Sequence, residues 1–322
     1  MKRGLVIGKF SPLHQGHVAL INFAASQCDE LIVSMSYTDA DPIPKDMRFF
    51  WITETFKDRL EIKPELIKDD FDDENLPLEE RTKKWSEVIR KVYPPIDVLF
   101  SSEEYGEPFG ANLGVPHKSF DPQRSRFPVS ASRIRQYPFQ YWDFILPIVR
   151  PFFVKRVCLY GPESTGKSTL ALKLAQRYHT EFVPEVAREF ISSNDFTLDD
   201  IVQIGNAHFR RIEERSQLAN KILFCDTDAI TTQIYCRHYL KEVPEILYEL
   251  ERKVKYDLYF LFDIDVPWTP DGLRDLGDQR ESMMNVFRNE LEQRGIAFVT
   301  VKGSYAQREE IICREIDRLL NH

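Results

Sequence analysis

The 322-residue sequence predicts an α/β protein of two domains, each a parallel sheet wound with helices. Short β-rich runs alternate with segments of helical spacing through the first hundred residues, and a second series of the same kind starts near residue 155. Each series opens on an apolar strand that runs into a glycine-rich turn, "GKFSPLHQGH" at 8–17 and "GPESTGKST" at 161–169. Between the two lies "YPFQYWDFILPIVRPFF", rich in aromatic residues and proline, a composition suited to a packed connector more than a flexible tether. The boundary is therefore expected near 150, giving domains 1–150 and 151–322.

In order along the chain, "GLVIGKF" reads as a strand, 14–27 as a helix, "ELIVSMS" as a strand, 46–59 and 78–92 as helices, and "IDVLFSS" as a strand. The later strands are "KRVCLYG", "TEFVPE", "KILFCDTD", "DLYFLFDID" and "IAFVTVK", with helical segments between. The acidic stretch "KDDFDDENLPLEE" reads as a solvated loop and helix start.

Composition narrows the function. A net charge of −8 and an isoelectric point near 5.5 make a broad basic surface for nucleic acid unexpected, so any phosphate site must be locally positive. The five cysteines contain no CxxC pair and are odd in number, which fits reduced thiols and a cytoplasmic location better than a disulfide framework or zinc site. The apolar start is cut short by Gly8-Lys9, and "YWDFILPIVRPFFVKRVCLY" is broken by Asp143, Arg150 and two prolines, short of the roughly 20 apolar residues of a span. No membrane association is expected.

"GKFSPLHQGH" is a strand-to-helix turn at the carboxyl edge of a parallel sheet, where α/β proteins bind ligands. His14 and His17, three apart, share one face of the first helical turn, where free N–H groups and the helix dipole favour an anion. Neither has a nucleophile or metal-ligand partner at useful spacing, so their expected work is to stabilise charge on a phosphorus centre in transfer, with Gly16 letting the backbone come close.

This string resembles the HxGH signature of the nucleotidyltransferase superfamily, GxFxPxHxGH, at all six fixed positions. "VSASRIR" at 129–135 is similar to that superfamily's second signature, ISSTxxR. The resemblance implies that Gly8, Lys9, Phe10, His14, His17, Ser130, Ser132 and Arg135 bind ATP, the last at a later helix start. "WSEVIRKVYPPIDVLFSS" resembles the pyridine-nucleotide adenylyltransferases, which implies that Trp85 stacks on a nicotinamide ring; a half-buried helix aromatic is the alternative. In the same family an arginine at the position of Arg48 touches ATP phosphates, and Lys9 stands where arginine is common, keeping the charge without the bidentate fork.

"GPESTGKST" satisfies G-x-x-x-x-G-K-[ST] after a strand and before a helix. Its backbone from Gly161 through Pro162, Glu163, Ser164, Thr165 and Gly166 is expected to wrap ATP phosphates, together with Lys167, Ser168 and Thr169; Lys167 reaches the β and γ oxygens, and Ser168 is a ligand for Mg²⁺. Asp226, ending "KILFCDTD", is expected to orient the metal or hold the acceptor hydroxyl. Glu185 and Arg188 in "FVPEVAREF" fall where P-loop nucleoside kinases keep acceptor-contacting residues; a helix-surface ion pair is the alternative, and whether Asp226 or Glu185 activates the acceptor is open. Arg274 and Arg280, in "DGLRDLGDQRESMMNVF", suit a closing lid that neutralises charge on the transferring phosphoryl group.

An HxGH domain followed by a P-loop kinase resembles the bifunctional nicotinamide-nucleotide adenylyltransferase/ribosylnicotinamide kinases of the NadR type, over nearly the whole chain. It implies that the second domain phosphorylates nicotinamide riboside with ATP, and that the first adenylylates the resulting nicotinamide mononucleotide to NAD and pyrophosphate. Enterobacterial members carry a preceding helix-turn-helix domain; here the first strand starts within five residues of the beginning, so no operator DNA binding is expected. Two competing readings are a fused phosphopantetheine adenylyltransferase/dephospho-coenzyme A kinase, whose transferase usually has threonine where His14 stands, and a non-catalytic NAD or ATP sensor. Oligomeric state stays open, a homo-oligomer included.

Overall fold

A computed structural model of the chain describes residues 1–73, 75–269 and 274–321. The chain divides into two compact units, Met1–Arg150 and Pro151–His322.

The first unit runs β1 (Arg3–Gly8), α1 (Gln15–Ala25), β2 (Glu30–Tyr37), α2 (Lys45–Thr55), β3 (Ile62–Lys68), α3 (Leu78–Val92), β4 (Val98–Ser101), α4 (Gly106–Leu113), β5 (His117–Ser119) and α5 (Ala131–Gln136). All strand pairs are parallel, in the order β3-β2-β1-β4-β5. Buried Leu5, Ile32 and Leu99 pack with Ile89 of α3 and Phe109 of α4, covering one face of the sheet. From β1 the chain winds outward to β2 and β3, then returns to place β4 on the other side. That reversal opens a crevice beyond the carboxyl end of β1, where an open sheet accepts a ligand.

β3 and β5 have no counterpart among the strands read from the sequence. "IKPELIK" buries only Ile62 and Ile67 and contains Pro64, while β5 is three residues long. Both are edge strands, paired on one side only, and such strands need no continuous apolar run. The connector behaves as its composition suggests: Phe139, Trp142, Ile145 and Val149 are buried, and Ile145 makes an antiparallel bridge to His14.

The second unit runs β6 (Lys155–Tyr160), α6 (Lys167–Arg177), β7 (Phe182–Val183), α7 (Ala187–Phe190), α8 (Leu198–Leu218), β8 (Ile222–Asp226), α9 (Ala229–Leu240), α10 (Glu245–Lys253), β9 (Leu258–Phe262), α11 (Arg280–Gln293), β10 (Val299–Val301) and α12 (Tyr305–Asn321). Its sheet is again parallel, ordered β10-β9-β6-β8-β7, so β6 is central as β1 is in the first unit. One face packs Val157, Leu159, Phe224, Phe260 and Phe262 against α6 and α12; the other packs Tyr160 and Leu261 against Phe287 and Leu291 of α11. Among the described residues, no helix is long and apolar enough to cross a membrane.

Two candidate active sites

The first site forms at the carboxyl end of β1. One cavity is lined by Gly8, Lys9, Phe10, His14, Gly16 and His17 from the first turn, and by Ser130, Ser132 and Arg135 from the start of α5. The fold thus joins two segments more than a hundred residues apart. Arg135 ties them directly: its guanidinium donates to the Ser11 carbonyl and, at 3.4 Å, to the Ser132 hydroxyl.

His14 is the N-cap residue of α1, in extended backbone, and makes no side-chain capping bond. The first N–H groups of α1 therefore keep their capacity for an anion. The two imidazoles stack, centroids 3.7 Å apart, and Phe10 meets His17 edge-on at 5.0 Å. A Cβ on Gly16 would stand 3.0 Å from the His14 ring. This glycine makes room for one histidine to fold over the helix start onto the other.

Burial, followed by the charge of Arg124, pushes His17 down to about 3. Burial, the His17 ring and Arg124 push His14 down likewise. Both rings are neutral hydrogen-bonding groups at physiological pH, and each Nδ1 is buried without a partner. The fixed positive charge around them comes from Lys9, Arg124 and Arg135.

Arg124 was not evident from the sequence. It lines the cavity, with its guanidinium held by Glu103 at 2.7 Å and the Val129 carbonyl at 3.4 Å. Asp121 shapes its loop by accepting from the N–H groups of Ser125, Arg126 and Phe127. The Asp121-Pro122 pair signals a turn, but no spacing marks the arginine inside it.

Two expectations are corrected. Arg48 is completely buried on α2 and does not line the cavity. Its guanidinium donates to the carbonyls of Ile43 (3.0 Å), Lys9 (2.5 Å) and Ser36 (3.3 Å) and pairs with Asp41 at 2.5 Å. A bidentate donor needs many acceptors when buried, and here the backbone behind the first turn supplies them, so Arg48 braces Lys9 instead of touching phosphate. Trp85 is half-buried on α3, its indole donating to Asp72 at 3.0 Å. It packs edge-on against Tyr105, 5.5 Å between centroids, and it is Tyr105 that lines the cavity. Asp72, in the stretch expected to be solvated, accepts from both Arg81 and this indole.

The second site lies at the carboxyl end of β6. Its cavity is lined by Glu163 to Thr169, by Glu185 and Arg188, by parts of α8 and α9, and by Arg274. Gly166 caps α6 with a φ of 86°, a left-handed conformation that disfavours a side chain. The loop is held open by its own residues. Lys167 donates to the carbonyls of Gly161 (2.9 Å) and Pro162 (2.8 Å), and the Thr165 hydroxyl to Pro162 at 2.9 Å. The wholly buried Arg308 donates to the Thr165 carbonyl at 2.7 Å from α12. Burial lowers the pKa of Lys167, against the pull of Asp226 and Glu185.

Asp226 ends β8 beneath the loop, 1% exposed, and neither carboxylate oxygen has a hydrogen-bond partner. Burial pushes it up to about 6; Lys167 draws it down, and so does the Ser168 hydroxyl, short of a bond of ordinary geometry. An orphaned carboxylate beside Ser168 fits a divalent cation. Among the described residues no three His, Cys, Asp or Glu side chains cluster as a metal cage, so a cation here would rely on phosphate oxygens and water for its remaining ligands.

Glu185 and Arg188 form an ion pair at 3.3 Å, and both line the cavity. Glu163 turns away from the glycine-rich loop, accepting from the Trp268 indole (3.2 Å) and the Leu276 N–H (3.1 Å). Ser164 accepts from the Thr269 N–H at 2.7 Å. These bonds hold both flanks of the segment carrying Arg274; Gly272, one of the two glycines expected there, is outside the described residues. Arg280 is not among the lining residues: it sits at the start of α11, its Nη1 donates to the Val266 carbonyl at 2.9 Å, and its Nε and Nη2 are buried without a hydrogen-bond partner.

The cytidylyltransferase-like family matches residues 5–137, and the AAA domain family matches residues 156–308. The "Trifunctional NAD biosynthesis/regulator protein NadR" of Escherichia coli (strain K12) is 33% identical over 98% of this chain and 82% of its own length. Its counterpart in Salmonella typhimurium is 33% identical over 97% and 82%. The nicotinamide-nucleotide adenylyltransferase of Methanocorpusculum labreanum is 28% identical over 46% of this chain and 86% of its own length. Among solved structures, a NadR protein in complex with NR has a TM-score of 0.83 at 23% identity, covering 100% of this chain and 96% of that one. This likeness establishes the two-domain fold.

Proposed function

The chain belongs to the NadR family, and from that premise we propose how its two sites divide the work. It is an enzyme of NAD biosynthesis with two activities: ATP-dependent adenylylation of nicotinamide mononucleotide to NAD and pyrophosphate, and ATP-dependent phosphorylation of nicotinamide riboside to nicotinamide mononucleotide. The phosphopantetheine and sensor alternatives give way to this reading.

The adenylyltransferase site is the cavity at β1. A phosphate oxygen of the mononucleotide attacks the α-phosphorus of ATP and pyrophosphate leaves. His14 and His17, the N–H groups opening α1, Lys9, Arg124 and Arg135 stabilise the charge that builds on the bridging and leaving oxygens. The carrying observation is the convergence of both signature segments on one cavity. Arg48 and Trp85 act from behind, Arg48 through the Lys9 carbonyl and Trp85 through Tyr105.

The kinase site is the cavity at β6. Lys167 leaves the loop carbonyls to meet the β and γ oxygens, Arg274 neutralises the transferring group, and Glu185 or Asp226 takes the proton of the acceptor hydroxyl. Ser168 and Asp226 would hold Mg²⁺, which supplies charge neutralisation on the phosphates. The five thiols are free and four of them buried, which supports a cytoplasmic location.

The test is incubation with ATP, Mg²⁺ and either riboside or mononucleotide, with products resolved by chromatography. His17→Ala lowers NAD formation by about 100-fold or more and leaves riboside phosphorylation intact; Lys167→Ala does the reverse. Loss of both activities from either substitution in a folded protein overturns the two-site assignment.

A further inference from the structure

The lining of the kinase cavity includes polar and apolar groups of different character. The phosphate loop, Lys167 and Glu185 line it, with Tyr235 hydrogen-bonded to that loop; Phe196, Ile201 and Ile204 line it as an apolar cluster packed with Tyr239. Phosphoryl transfer requires the acceptor hydroxyl at the phosphate loop, which leaves the apolar cluster to receive the acceptor's base.

Several polar groups of the lining are engaged with the protein. The Thr231 hydroxyl donates to Asp228 at 2.9 Å and the Thr232 hydroxyl to the Asp228 carbonyl at 3.3 Å. The Tyr239 hydroxyl donates to Asp275, and the Tyr235 hydroxyl accepts from the Glu163 N–H at 3.1 Å. His208 differs. Positions 201, 204 and 208 share a face of α8, and His208 borders the cavity with them. It is 5% exposed, and its Nε2 is buried without a hydrogen-bond partner. A buried polar atom left unsatisfied destabilises the fold, and native proteins carry few unless a ligand completes them. Burial, followed by the charge of Arg211, pushes the imidazole down to about 4, so it offers one neutral hydrogen bond and no charge. Such a group suits an uncharged substituent and does not oppose a cationic ring.

We propose that Nε2 of His208 hydrogen-bonds the carboxamide of the acceptor's pyridine ring and so makes His208 a specificity-determining residue of the kinase. The inference rests on the ribosylnicotinamide kinase reading above.

The experiment uses the full chain, ATP and Mg²⁺ with two acceptors, nicotinamide riboside and the pyridine riboside that lacks the carboxamide. The wild type favours the carboxamide acceptor by about 10- to 100-fold in kcat/KM. His208→Phe keeps a ring but no nitrogen; it loses that factor on nicotinamide riboside, chiefly in KM, while kcat/KM for the bare ring stays within about twofold. Equal losses on both acceptors, as a purely structural role would give, overturn the proposal, as does an undiminished preference. If the phenylalanine variant does not fold, His208→Leu, likewise without a hydrogen-bonding group, carries the test: a reduced preference supports the proposal, and a wild-type preference overturns it. A wild type that phosphorylates neither acceptor overturns the kinase reading and this inference with it. One that phosphorylates both equally overturns the role of His208 alone.

Discussion

Asp226 holds a proton longer than a carboxyl in water would. Burial lifts it from 3.8 to about 6, so between those values the folded chain keeps a proton that the unfolded chain has lost. Stability from this group is therefore present below pH 4 and declines as pH rises through about 6, by up to about 3 kcal/mol. Asp226→Asn should raise the melting temperature of the second unit at pH 7.5 and give no gain at pH 4, while kinase activity falls by about 100-fold or more. A melting temperature that drops at pH 7.5 would show that the carboxylate stabilises the fold. Arg48 is the opposite case, a buried charge with full partnership. Arg48→Met strands Asp41, whose carboxyl burial would raise but whose Thr38 and Arg48 contacts hold it below the ordinary range. The expected cost is about 3–5 kcal/mol, read by denaturant unfolding of the first unit. An unchanged stability with a raised KM for ATP would return Arg48 to direct phosphate contact.

Helix starts decide where anions can go. α1 and α6 open without a side-chain cap, on His14 and Gly166, leaving their first N–H groups for phosphate. α5 is capped by Ser130, which accepts from the Arg133 N–H at 3.3 Å, so that terminus contributes through Ser132 and Arg135 side chains. α8 is closed more firmly still by the Thr197–Asp200 capping box, as befits a helix whose face lines the acceptor cavity. Thr197→Ala should cost about 1 kcal/mol, visible as a lower melting temperature of the second unit with the first unchanged. No shift on melting would mean that the Asp200 carboxylate alone closes the helix.

Across the whole molecule, two parallel sheets each place a phosphate-binding turn at the end of a central strand, and each unit has its own core. A mixture of the His17→Ala and Lys167→Ala proteins should therefore convert nicotinamide riboside to NAD through released mononucleotide, although neither does so alone. Failure of the mixture, with each single activity intact, would mean that the intermediate does not leave the chain that made it. The fold class and the two glycine-rich turns were legible in the sequence because each rests on local spacing: a strand, a glycine-rich turn, a helix start. The edge strands β3 and β5 were not, since backbone pairing on one side leaves no apolar signature. Nor were Arg124 and His208, which reach their sites by loop path and helix face instead of by motif. Sequence alone determined that this chain carries two glycine-rich strand-to-helix turns, each opening a parallel-sheet unit. Only the tertiary structure decided that the Arg48 guanidinium is spent on Asp41 and backbone carbonyls behind the first turn, and that the His14 ring lies close over Gly16. Whether a side chain faces a ligand or a carbonyl depends on which distant backbone packs beside it, and no local pattern records that.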